Sequence, residues 1–82
     1  MRDCIVSFCS VTEIREFVAL ATRQSVPIRV ERGSHGASAT AIMSIFSMGL
    51  NTPLHVVAPD VPELADFFRT VEGRGWYRGI SA

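Results

Sequence analysis

The sequence predicts an α+β fold, a mostly antiparallel sheet with its helices on one face. Three observations carry that expectation. Short β-patterned runs and apolar helical patterns follow one another as strand, helix, strand, strand, helix, strand, helix. A glycine-bounded turn, Gly33-Ser34-His35-Gly36, joins two of the strands as a hairpin. A helix of roughly two turns through Ile42, Ile45 and Met48 is too short to stand alone, so it has to pack on something. With 82 residues, the chain makes one domain with a modest core.

Each element has a local cause. Asp3 to Phe8 is a strand, rich in β-branched and aromatic residues. Ser10-Val11-Thr12-Glu13 has the form of a capping box, a serine N-cap with glutamate three residues on. Val11, Ile14, Phe17, Val18 and Ala21 then recur at helical spacing, which predicts an amphipathic helix to Arg23. Val26 to Arg32 is the second strand, with Pro27 marking its start or a sheet edge. Ala37 to Ala39 returns as a third strand of small residues and leads into the central helix. Gly49 stops that helix, and Asn51-Thr52-Pro53 keeps it from resuming. Leu54 to Ala58 is the fourth strand. Asp60 is the N-cap candidate of the last helix, Pro62 lies in its first turn, and Leu64, Ala65, Phe67, Phe68 and Val71 form its apolar stripe up to Gly73. Residues 74–82 differ in composition and read as a C-terminal tail, either loose or pinned by Trp76 and Tyr77.

Composition narrows the function. Hydrophobic residues make up 48% and charged residues 20%, as in a folded soluble protein. Eight basic residues balance eight acidic ones, which argues against nucleic acid or an anionic membrane as the main partner. The apolar run from Cys4 to Val11, broken by serines, is too short to span a membrane and lacks a signal-peptide pattern, so the expected location is the cytoplasm. Cys4 and Cys9 on one strand would lie roughly 16 Å apart on opposite faces, which forbids a bridge between them. Two free thiols suit a reducing compartment, and both cysteines are expected to be small buried hydrophobes. His35, His55 and the cysteines show no metal-ligand spacing, and no catalytic triad, phosphate loop or carboxylate pair stands out. No enzymatic activity, cofactor or metal is expected.

Several segments in succession resemble the histidine phosphocarrier (HPr) family of the bacterial sugar phosphotransferase system. They are Glu16-Phe17-Val18, Ile28-Arg29-Val30 before a glycine turn, Ala37-Ser38-Ala39, Ile42-Met43-Ser44-Ile45, and Met48-Gly49-Leu50 ahead of the fourth strand. The resemblance covers Asp3 to Glu72 and makes residues 1–73 an HPr-like domain. It implies an open-faced β-sandwich, β-α-β-β-α-β-α, whose four-stranded antiparallel sheet carries three helices on one face.

The chemistry that the resemblance implies has no counterpart in these residues. In that family a histidine at the start of the first helix accepts phosphate from enzyme I and passes it to sugar-specific transporter components. Imidazole is nucleophilic near neutral pH, and the helix N-terminus steadies the phosphate. Here Phe8-Cys9-Ser10-Val11 enters the helix directly, the loop is shorter, and Ser10 takes the capping place. A serine phosphate ester is too stable to serve as a high-energy carrier. The family's regulatory serine position corresponds to Ala41, with Ser38, Thr40 and Ser44 as polar neighbours. Both phosphate positions, Ser10 and Ala41, are therefore degenerate.

What the resemblance leaves is contact. The matching helix of the family meets enzyme I, transporter components and regulators, and here it presents Ile42, Met43 and Phe46. An adaptable methionine beside an aromatic suits docking. The expected function is a non-phosphorylatable, HPr-like protein-binding or regulatory module, with phosphotransferase-system or regulatory proteins as partners or a homodimer through the central helix. The alternatives are a phosphocarrier using an unexpected residue, and a structural homo-oligomer.

Overall fold

A computed structural model of the chain describes residues 2–79. The elements in order are β1 (Arg2–Val6), α1 (Val11–Thr22), β2 (Arg29–Arg32), β3 (His35–Ser38), α2 (Ile42–Met48), β4 (Leu54–Ala58), a 3-10 turn at Pro62–Leu64 running into α3 (Ala65–Gly73), and β5 (Tyr77–Gly79). The strands form one open antiparallel sheet in the order β3-β2-β4-β1-β5. This is a small α+β fold with three α-helices among the described residues.

Local chemistry sets the helix ends. Ser10 is extended (φ −152°, ψ 160°) and its hydroxyl accepts the Glu13 N–H at 3.2 Å, so α1 starts where the capping pattern places it. The return leg of that pattern lands one residue earlier than expected: the Glu13 carboxylate accepts the Cys9 N–H at 3.0 Å instead of that of Ser10. Gly49, at φ +109°, ends α2, and the Arg32 guanidinium donates to the Met48 carbonyl at 2.8 Å. The third helix departs from expectation at its start. Val61 flanks the 3-10 turn without a side-chain cap, and Pro62 fills the first position, so Asp60 is not the cap.

Alternation separates the two faces of the sheet. Cys4, Val6, Val30, Leu54, Val56 and Ala58 are buried under the helices. Asp3, Ile5, Arg29, Glu31, His55 and Val57 lie on the other side, each partly or fully exposed. Into the core α1 sends Ile14, Phe17 and Ala21, α2 sends Ile45 and Met48, and α3 sends Phe67, Phe68 and Val71.

The sheet has five strands where four were expected. Trp76 supplies the reason. Its ring is only 3% exposed and packs edge-on against Phe8 (5.5 Å between centroids) and Phe17 (6.0 Å). The Ser7 N–H donates to the Trp76 carbonyl at 2.9 Å, and Tyr77 pairs with Val6. The segment read as a tail is thus joined to the sheet as far as Gly79, and residues 80–82 lie outside the described residues. Two strands are shorter than expected: β1 ends at Val6, and β2 begins at Arg29, beyond Pro27. The hairpin is tighter too, a two-residue Gly33-Ser34 loop with Gly33 at φ +59°.

Candidate protein-docking surface

Ser10 and Ala41 both lie at helix starts. The Ser10 hydroxyl is committed to capping α1. Ala41 is the N-cap of α2 (φ −92°, ψ 82°) and offers no side-chain bond; its N–H donates to the Ser38 carbonyl at 3.0 Å. Ser38 and Thr40 serve that same turn. The Ser38 hydroxyl lies 2.8 Å from the Thr40 hydroxyl and accepts the Thr40 N–H at 3.2 Å.

The seven residues of α2 divide into three sides. Ile45 and Met48 are buried. Met43 (75% exposed) and Phe46 (43%) face outward, and Ile42 lies half-buried against the core beside them. Ser44 and Ser47 occupy the third side, toward β3, where they line a cavity of about 300 Å³ with Arg32, His35 and Ala37. The expected docking residues therefore share a ridge, with Ile42 contributing only its outer edge.

Val11, at the start of α1, is also exposed, which sequence reasoning did not foresee. The helical spacing groups it with the buried stripe, yet it is 43% exposed. The signal was available. At about 100° per residue, Val11 stands roughly 60° from Ile14, about 80° from Ala21 and about 120° from Phe17, at the margin of the buried side. Asn51 donates its N–H to the Phe8 carbonyl at 2.7 Å, tying the entry to α1 to the exit from α2.

The other candidate groups stay apart from this surface. His55 lies on the open face of the sheet, where its Nε2 is 2.7 Å from Asp3 Oδ2. His35 is exposed at the hairpin. Among the described residues no cluster of three His, Cys, Asp or Glu side chains could hold a metal, and no helix is long and apolar enough to cross a membrane.

The two thiols differ, which corrects one expectation. Cys4 is buried as expected, and burial pushes its thiol up to about 11. Cys9 is exposed instead, because β1 ends at Val6 and Cys9 lies in the capping loop. Its thiol donates to Glu13 Oε2 at 3.1 Å, and that bond raises its pKa. The Cys9 N–H, and then its thiol, hold the Glu13 carboxyl below its usual range. The Glu13 contact thus supports the fold above the ordinary carboxylate range and is lost as pH falls through the lowered value. Titration of the native protein with a thiol-reactive disulfide should therefore show one reacting cysteine, Cys9, with Cys4 following only on unfolding. Glu13→Gln should speed the Cys9 reaction near neutral pH, because the carboxylate no longer opposes the thiolate. Two equally fast thiols in the folded protein would contradict this assignment.

Neither a scan against protein-family models nor a search of curated proteins found a match to this chain.

Proposed function

We propose that this protein is an HPr-like module that works by contact, docking onto another protein through Val11, Ile42, Met43 and Phe46 without carrying phosphate. The observation that carries the reading is Met43, three-quarters exposed beside a half-exposed Phe46 on a helix that buries Ile45 and Met48 and leaves Ile42 half-buried. A soluble protein that leaves its most flexible apolar side chain on a ridge has a use for it. The order β-α-β-β-α-β-α up to Gly73 supports the HPr-like open-faced sandwich, to which β5 is an addition. The absence of phosphate chemistry rests on Ser10, spent as a cap, and on Ala41, which has no hydroxyl.

Partners are proteins of the phosphotransferase or an associated regulatory system, and the setting is the cytoplasm, where Cys4 and Cys9 stay reduced. The deciding experiment is incubation with enzyme I and phosphoenolpyruvate, followed by intact-mass measurement before and after mild acid. No acid-labile phosphate is expected on the chain. Its appearance would reverse the reading and make the protein a carrier using another residue.

A further inference from the structure

The two edges of the sheet are built differently. β5 is three residues long, carries the charged Arg78 and ends in Gly79 at φ +143°, features that discourage pairing with another strand. β3 has none of these protections. His35–Ser38 pairs with β2 in unbroken register and contains no Lys, Arg, Asp, Glu or Pro.

The ladder shows which main-chain groups that edge presents. The Ala39 N–H donates to the Ile28 carbonyl at 2.8 Å, so the bonded pairs of the hairpin are Ile28 with Ala39, Val30 with Ala37 and Arg32 with His35. Gly36 and Ser38 alternate with these and direct their main-chain groups away from β2. The Ser38 carbonyl is taken by the Ala41 N–H. The Gly36 N–H, the Gly36 carbonyl and the Ser38 N–H are left on the edge.

We propose that β3 is a self-association edge, pairing antiparallel with β3 of a second copy about a two-fold axis at Gly36 and joining two sheets into one. In that register each Gly36 N–H meets the other copy's Gly36 carbonyl, so one donor and one acceptor per chain satisfy each other. The second copy's His35 falls opposite Ala37, whose methyl group leaves space over the cavity lined by Arg32, Ser44 and Ser47. The charge balance permits the approach: the chain has zero formal net charge, β3 itself carries no carboxylate or guanidinium, and the Arg29 guanidinium lying over Gly36 is paired with Glu31 at 3.7 Å. This surface is separate from the docking ridge, because it uses the serine side of α2 and leaves Met43 and Phe46 free.

Sedimentation equilibrium and amide exchange test the proposal together. From about 10 μM to about 1 mM, the range suited to a short interface, the mass of the parent should rise reversibly from 9.0 kDa toward twice that value. Exchange of the Gly36 and Ser38 amides should slow as concentration rises, while the exchange of other exposed amides does not change. Gly36→Pro removes an outward donor without touching the β2 ladder, and the new Cβ meets the mobile end of Arg29, which has to shift, and the Glu31 side chain at an ordinary contact distance. It should weaken association about tenfold or more. The proposal is overturned by a parent that stays at 9.0 kDa throughout, by doubling without protection of Gly36 and Ser38, or by a folded Gly36→Pro protein with the parent's association constant. A Met43→Glu, Phe46→Glu protein should dimerise like the parent, so this inference and the docking reading fail separately.

Discussion

Replacing Trp76 by alanine should cost the fold about 3–5 kcal/mol, the range for removing a large buried aromatic. The domain is small, and total stabilities of about 5–15 kcal/mol are usual, so one side chain would account for a large fraction of the total. Trp76 closes the aromatic cluster of Phe8, Phe17 and Phe67, and its carbonyl anchors the Ser7 N–H beside β1. Losing the ring opens a cavity next to Phe8 and Phe17 and releases β5, whose three residues cannot hold the sheet edge unaided. Urea unfolding followed by circular dichroism measures the loss. The parent offers a second signal, since its single tryptophan is buried and should emit to the blue until the domain unfolds. A loss of less than about 1 kcal/mol, the typical cost of an ordinary point mutation, would mean that the C-terminal segment is not part of the core.

The second large effect concerns binding. Met43→Glu combined with Phe46→Glu should abolish capture of the native partner while changing stability by less than about 0.5 kcal/mol per site, as for surface positions. Met43 loses almost no packing because it is three-quarters exposed, and Phe46 is close to half exposed. Two carboxylates on the ridge would have to be desolvated against an apolar partner surface, which makes complex formation unfavourable. Affinity capture from a lysate of the native cells, with the parent and the double variant side by side, reads this directly. Proteins retained equally by both baits would place the contact elsewhere. Val11→Glu gives a graded control, since Val11 is the other large apolar side chain exposed among the described residues.

The comparison of expected and observed structure turns on range. Ser10 and Glu13 mark the start of α1, Gly49 marks the end of α2, and Ile45 and Met48 bury as their spacing requires. All of these are settled within a turn or two of chain. The two misplaced side chains were each assigned to a neighbouring pattern that does not include them. Cys9 was grouped with a strand that stops at Val6, and in the loop its thiol found Glu13 instead of the core. Val11 was grouped with the α1 stripe, although its angle on the helix puts it at the margin of that stripe and it is 43% exposed.

The exposed apolar ridge of α2 was legible in part. Met43 and Phe46 stood out because a two-turn helix cannot bury all its apolar residues against one sheet, whereas Ile42 is shared between ridge and core. The serine side of α2 carried no sequence signal, and its role became visible only once β3 lay beside it.

From its sequence alone this protein has determined element types, their order and most helix ends, because periodicity, capping and glycine geometry act over a few neighbouring residues. Tertiary structure alone decided that the C-terminal segment becomes a fifth strand, since that depends on Trp76 reaching Phe8 and Phe17 and on Tyr77 lying along Val6. It also decided which strand is left as a bare edge. That follows from strand order, and strand order is a choice among partners far apart in the chain that no local pattern encodes.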